Sequence, residues 1–255
     1  KYFNKNELFL RSGLLLYSYF LDNKKQKKIS NQILKIDGKS KIIRSLSLFE
    51  QNYFNDWSQK DHFENAKINS KYFSKLNVKD IKDIDYTVNE KINIGFVSFD
   101  FSRNHPITFF IKNTIKYLDK NKFRVYIFSF AKKNNKDESQ NELKNLSDVW
   151  LDVQMFNNQQ TANLIQEKKI NILFDVMGLT AIDRLEIFNT RVAPIQVSWL
   201  AYCNTLGFKN IDYIIADKNL IIEGEEKFYS ERVIKLPEIW NSHSGFNYKR
   251  KFNKL

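Results

Sequence analysis

The densest chemistry in this sequence lies in Asp100-Phe101-Ser102-Arg103-Asn104-His105, which follows the apolar run Ile94-Gly95-Phe96-Val97 and precedes Pro106. A carboxylate, an amide and an imidazole so placed can take, give or orient a proton near neutral pH. His105 equally suits a loop histidine that packs or caps a helix. An apolar run with a glycine inside it, then polar residues, then a proline opening a periodic segment, predicts a buried strand, a loop and a helix start. Polar residues just past the carboxyl end of a parallel strand fall in the crevice where α/β sheets bind ligands. Asp100, Asn104 and His105 are therefore the first candidates.

Two later stretches repeat that arrangement. Phe174-Asp175-Val176-Met177-Gly178-Leu179-Thr180 places an acid, a glycine and a hydroxyl at the end of a buried run, with Arg184 at the start of a helical pattern. Such a helix start can hold an anion or sugar hydroxyls through backbone N–H groups, while Thr180 and Asp183 can equally be ordinary caps. The run from Arg191 to Gly207 enters a strand and leaves it through the small residues Ala201, Cys203, Asn204, Thr205 and Gly207. Small residues admit a ligand close to the backbone, or simply a tight turn.

The elements that must position these residues alternate. Short β-rich runs are expected over 92–98, 124–130, 149–151, 170–176, 195–200, 213–216 and 233–236, with helical segments over 107–118, 138–146, 160–168 and 182–189. Strand and helix in alternation predict an α/β, Rossmann-like lobe with a mostly parallel sheet covered on both faces. The first loop carries neither G-x-G-x-x-G nor G-x-x-x-x-G-K-S/T, so it is not the usual dinucleotide or triphosphate cradle. Ahead of the lobe, residues 1–85 read as an α-helical segment, with helices over 8–20, broken by the charged stretch after Asp22, over 29–36, closed by Gly38, over 42–54, and from Ser58 to about residue 76. Residues 81–90 read as a linker.

A net charge of +12 raises the possibility of nucleic-acid binding. The lysines, however, are interleaved with asparagine and isoleucine along the whole chain, and no RNA-binding strand signature or zinc finger accompanies them, so solvated faces explain the charge better. With Cys203 as the one cysteine, an internal disulfide and a cysteine-rich zinc site are excluded. No metal-ligand spacing appears. No apolar stretch is long enough to span a bilayer and nothing resembles a signal peptide, so a cytoplasmic protein without membrane contact is expected. The first residue is Lys1, which leads us to expect part of a longer protein.

Taken in order, these segments resemble the O-GlcNAc transferase family, including its SPINDLY-type and bacterial members. Asp100-Phe101 with Asn104-His105-Pro106 is similar to that family's D-F-x-N-H-P element, and Arg191 to Gly207 to its R-P-A-P-I-Q-V-x-W-L-G-Y-P-G-T-x-G. Ile211 to Asp217 and Tyr229 to Pro237 resemble D-Y-I-I-x-D and Y-S-E-x-x-x-x-L-P, and Leu48 to Tyr53 resembles L-F-x-x-N-Y. The resemblance implies a glycosyltransferase that moves a sugar, N-acetylglucosamine, from a UDP-sugar to serine or threonine hydroxyls of an acceptor protein or peptide. The UDP-sugar is then the donor substrate and no cofactor is needed. The resemblance also implies that His105 and Asp100 are catalytic, and that Asn104, Thr180, Arg184, Leu200, Ala201 and Cys203 bind the donor sugar or substrate. Ala201, Cys203 and Asn204 stand where the family has glycine, proline and glycine, and one extra residue separates Asp100 from Asn104.

The expected organisation is thus a helical segment over 1–85, an N-terminal catalytic lobe over 91–240, and a tail or interlobe connection over 241–255, with a C-terminal UDP-binding lobe absent. The rival expectation is a non-catalytic protein-interaction module derived from such a lobe.

Overall fold

The computed structural model describes residues 23–36, 40–53, 57–88, 90–102 and 105–243. The helix expected over 8–20, the helix end at Gly38, Asn104 and the tail beyond residue 243 lie outside the described residues.

The described residues open with three helices. Helix α1 (Asn23–Ile36) runs straight through Lys24-Lys25-Gln26-Lys27-Lys28, where the charge pattern predicts a break. Lysine and glutamine are good helix formers, so charge here marks the solvated face and not an end. The buried side of α1 presents Ile33 to Ile43 of α2 (Lys41–Glu50), which Ser40 caps by accepting from the Ile43 N–H. Helix α3 (Gln59–Ser70) opens on the expected capping box, with the Asp61 N–H donating to Ser58 Oγ and the Ser58 N–H to Asp61 Oδ2. It ends at Ser70, short of the expected residue 76, because the chain turns to drive Phe73 edge-on against Phe208, 5.4 Å between ring centres. The stretch expected as a linker is packed as well. Tyr86 donates to the Val192 carbonyl, and Asn171 Nδ2 donates to the Tyr86 carbonyl.

Beyond it the chain alternates as expected: β1 (Ile92–Ser98), α4 (Pro106–Tyr117), β2 (Phe123–Ser129), α5 (Glu138–Leu146), β3 (Val149–Asp152), α6 (Asn158–Glu167), β4 (Ile172–Asp175), α7 (Leu185–Asn189), β5 (Ile195–Ser198), β6 (Tyr213–Ala216) and β7 (Arg232–Lys235). All seven strands form one sheet in the order β3-β2-β1-β4-β5-β6-β7, and every pairing is parallel. The fold is an α/β Rossmann-like lobe. The chain works outward from β1 to β3, then returns to lay β4 on the other side of β1, so the strand order reverses between β1 and β4.

Each face of the sheet has its own core. Ile94, Phe96, Val125 and Ile127 pack under Ile107, Ile111 and Ile115 of α4 and Leu143 of α5. On the opposite face Val97, Phe128 and Leu173 join Ile165 of α6, Ile187 and Phe188 of α7, and Leu48, Ala66 and Phe73 from the helical segment. The helices therefore share the lobe's core, each fully buried side chain of this size contributing about 2 kcal/mol. Among the described residues no helix is long and apolar enough to cross a membrane.

Candidate functional site

The carboxyl ends of β1 and β4 open onto a cleft of about 430 Å³, lined by Ile42 of α2, by Phe99, Asp100 and His105 after β1, and by Thr180, Ala181, Ile182 and Asp183 after β4. This is the crevice at the strand-order reversal.

Asp100 is held there by local bonds. Its N–H donates to Ser98 Oγ, and the buried Thr108 hydroxyl donates to the Asp100 carbonyl at 2.6 Å, tying the loop to the first turn of α4. The extra residue before Asn104 therefore does not turn Asp100 out of the cleft. Burial raises its carboxyl above the usual range, opposed by the neighbouring His105 and by the bond to Ser98.

His105 does both of the things the sequence allowed. As the residue before Pro106 it has extended backbone and caps α4, its Nδ1 accepting from the Ile107 N–H at 3.4 Å. With Nδ1 engaged as an acceptor, the neutral ring carries its proton on Nε2. That nitrogen lies 3.5 Å from Asp100 Oδ1, and the His105 side chain is 41% exposed toward the cleft. In this tautomer Nε2–H faces Asp100 as a close charge contact without a formed hydrogen bond, leaving the carboxylate as the group able to take a proton.

The wall after β4 is built by Asp175. One of its oxygens accepts from the N–H groups of Met177 and Gly178, both at 3.0 Å, while the other is buried without a hydrogen-bond partner. Burial pushes this carboxyl up to about 6. Neither a regular helix start able to hold an anion nor a Thr180 or Asp183 cap, the two readings the sequence allows, is formed here. Residues Gly178–Arg184 make a 3-10 helix kinked at Ala181, followed by the five-residue α7, and neither start has a side-chain cap. Thr180 is exposed in the cleft and its hydroxyl donates to the Met177 carbonyl at 2.6 Å.

Arg184 turns away from Asp100. Its guanidinium lies 4.0 Å over the Phe130 ring and 5.6 Å over Phe99, and its Nη1 donates to the Phe156 carbonyl and Asn158 Oδ1. It lines a second, more open depression with residues 154–158, which adjoins the first cleft at Asp183.

The loop after β5 stands next to the first cleft, against Gly178. Leu200 and Ala201 have φ of +63° and +50°, the left-handed region that costs a side-chain-bearing residue about 1 kcal/mol or more. Leu200 is buried in the apolar cluster that includes Phe101 and Ile107, the flanks of the Asp100 loop, and Cys203 is exposed. Gly178, at φ +53°, is where the two loops touch, since a Cβ there would meet Tyr202 Cβ at 2.3 Å. Leu200, Ala201 and Cys203 are thus neighbours of the cleft but not part of its lining.

Sequence reasoning missed the residues that hold this loop. Tyr202 is buried, its hydroxyl 2.9 Å from Nε2 of the buried His62. Asn204 exchanges hydrogen bonds with Gln59 and Asn52, and Glu231 accepts from the Thr205 hydroxyl and the Leu206 N–H. The signal was present in the Leu48 to Tyr53 and Tyr229 to Glu231 segments, which converge on this loop from distant parts of the sequence.

Comparisons with known proteins place this geometry. The family model described as glycosyl transferase family 41 matches residues 66–244. The probable UDP-N-acetylglucosamine–peptide N-acetylglucosaminyltransferase SPINDLY of Petunia hybrida is 29% identical over 215 residues, covering 80% of this chain and 22% of the relative. A UDP-N-acetylglucosamine–peptide N-acetylglucosaminyltransferase of Caenorhabditis elegans is 35% identical over 129 residues, 50% of this chain and 11% of the relative. The structure of a Thermobaculum terrenum O-GlcNAc transferase mutant superposes with a TM-score of 0.83 at 23% identity, covering 93% of this chain and 45% of that one, a likeness of fold. The chain spans about a fifth of the length of the SPINDLY relatives it matches, 22% in the Petunia and Arabidopsis cases.

Proposed function

The chain belongs to glycosyl transferase family 41, and from that premise we propose that it forms the N-terminal lobe of a catalytic region that transfers N-acetylglucosamine from a UDP-sugar to serine or threonine hydroxyls of proteins. The observation that carries the reading is the pair formed by Asp100 and His105 at the carboxyl end of β1, facing each other at 3.5 Å in a cleft at the strand-order reversal. The names of the relatives supply the donor and acceptor classes, a UDP-N-acetylglucosamine and a peptide.

In this reading the acceptor hydroxyl oxygen bonds to the anomeric carbon of the donor sugar, while the bond from that carbon to the β-phosphate oxygen breaks and its electron pair leaves with UDP. The hydroxyl proton passes to the Asp100 carboxylate. The raised affinity of Asp100 for a proton brings it nearer the working pH, which makes it a better base than a solvated aspartate. His105 Nε2–H orients that carboxylate, Thr180 presents a hydroxyl across the cleft, and Ile42 closes one wall with apolar surface. The loop carrying Leu200, Ala201 and Cys203 shapes the sugar pocket from the side. A second lobe binds the uridine and diphosphate, and the helical segment over 1–85 leads from the acceptor-binding part of the protein. The single cysteine suits a reducing, cytoplasmic setting.

The test is transfer of labelled N-acetylglucosamine from UDP-N-acetylglucosamine to a serine- and threonine-containing peptide by the full-length protein. Asp100→Asn is expected to lower turnover by about 10²–10⁴-fold with the fold intact. Near-normal turnover in both Asp100→Asn and His105→Ala would overturn the assignment. Retained peptide binding with no transfer by the wild-type protein would favour an interaction module instead.

A further inference from the structure

The loop over residues 200–206 is bent into a conformation that its own residues do not favour, yet glycine is absent from the two left-handed positions, Leu200 and Ala201. Something outside the loop must hold it. Two side-chain arms reach it from the helical segment. In the first, Tyr202 points its hydroxyl into α3, where His62 Nε2 lies at 2.9 Å, and the Tyr202 ring stacks on Phe49 at 6.2 Å. Burial keeps the His62 ring neutral, and its other nitrogen is engaged with the Thr205 backbone. Nε2 is therefore the acceptor and the Tyr202 hydroxyl the donor. In the second arm, Gln59 Nε2 donates to Asn204 Oδ1 at 2.6 Å and Asn204 Nδ2 donates to Asn52 Oδ1 at 3.0 Å. Gly207 lets these arms close, because a Cβ at that position would lie 2.5 Å from the Ala66 backbone of α3.

We propose that the helical segment is a positioning element for this loop, with Tyr202 and His62 as its central pair and the Asn52–Asn204–Gln59 set as its rim. The inference rests on the transferase reading for what the loop binds: a nucleotide-sugar whose sugar ring lies against residues 200–203. Tyr202 is a positioning residue and touches no substrate. Its state is carried to the cleft through Gly178, against which its Cβ packs, so movement of α3 relative to the sheet displaces the Leu200–Ala201 bend and the wall after β4 together.

The Leu206 N–H, held by Glu231 Oε1, and the Gly207 N–H, held by Thr205 Oγ1, report on the loop. Their hydrogen exchange, followed by peptide mass spectrometry, reads how often the loop opens. Tyr202→Phe keeps the ring and removes the donor, and the rate is expected to rise about fivefold, the change in open population for loss of one buried hydrogen bond. Asn204→Ala cuts the rim arm at the surface, where folding is not at risk, and should raise it in the same direction. Ile221→Val, a core substitution in the apolar cluster with Ile214 and Ala216 of β6, separate from those that bury Leu200 and Tyr202, should leave it unchanged, which separates positioning from general destabilisation. In the full-length protein Tyr202→Phe should raise KM for UDP-N-acetylglucosamine while leaving KM for the acceptor peptide unaltered. An exchange rate that moves in neither Tyr202→Phe nor Asn204→Ala, or that moves equally in Ile221→Val, overturns the proposal. A raised exchange rate in a protein whose wild type transfers nothing from UDP-N-acetylglucosamine sustains the clamp and overturns the transferase reading beneath it.

Discussion

One ring nitrogen of His105 decides what the pair can do. Because Nδ1 caps α4 through the Ile107 N–H, the neutral imidazole offers Nε2–H to Asp100. The capping role that competed with a catalytic one at the sequence level is what fixes the tautomer for it. Asp100, raised by burial, then governs the acid side of activity, and the proximity of His105 holds that rise in check. The acid limb of kcat/KM is accordingly expected above the ordinary carboxylate range, and His105→Gln should move it to higher pH still. A pH–rate profile of the two proteins checks this, and an acid limb that moves to lower pH in His105→Gln would be inconsistent with it. The nearness of Asp100, Asn104 and His105 in sequence made this pair readable without a structure. That Arg184 would turn away to stack on Phe130 was not readable, because its partners Phe156 and Asn158 come from the loop after β3.

Elements were legible where one physical cause dominated. Short β-rich runs placed the seven described strands, and the Ser58–Asp61 capping box placed the start of α3 to the residue. Legibility failed where long-range packing set the boundary. Helix α1 continues through its lysines because Ile33 is buried against α2, and α3 stops early because Phe73 is needed beside Phe208. The helix expected over 182–189 is an α-helix only over Leu185–Asn189 and is preceded by a 3-10 helix over Gly178–Arg184, kinked where Ala181 leaves helical backbone. Gly207 shows the same limit. From sequence it could mark close approach to a ligand or a tight turn, and in the structure its missing Cβ makes room for α3. Gly207→Ala should therefore cost at least about 2 kcal/mol of stability, from a left-handed φ and a collision with backbone that cannot move aside. Chemical denaturation measures it, and a loss below half that figure would contradict the close approach.

Across the whole molecule, two buried titratable groups pull stability in opposite directions with pH. Burial raises Asp175 to about 6, while an unfolded chain holds it near 3.9. As pH rises from about 4 to 6 the unfolded chain loses a proton that the folded protein keeps, so the folded state loses stability, about 1.4 kcal/mol per pH unit. Burial lowers His62 to about 4 from 6.5, so between those values the unfolded chain binds a proton that the folded protein refuses, and stability falls on acidification. In the wild-type protein the two slopes offset each other. Asp175→Asn should steepen the loss of stability between pH 6 and 4 by roughly 2–3 kcal/mol, and His62→Gln should lessen it by a similar amount. Urea midpoints at three pH values separate the cases, and parallel slopes in all three proteins would refute both assignments. Both groups sit where the helical segment, the loop after β5 and the wall after β4 meet the sheet, so the acid behaviour of the protein and the shape of its cleft have a common origin.

The central claim is that the cleft between the ends of β1 and β4 is where sugar transfer takes place. Hydrogen–deuterium exchange of the full-length protein, with and without UDP-N-acetylglucosamine and an acceptor peptide, locates that site directly. Protection is expected over residues 98–102, 105–109, 177–184 and 199–206. Protection confined to the depression over residues 154–158, with the Asp100 and Thr180 loops unchanged, would contradict the account.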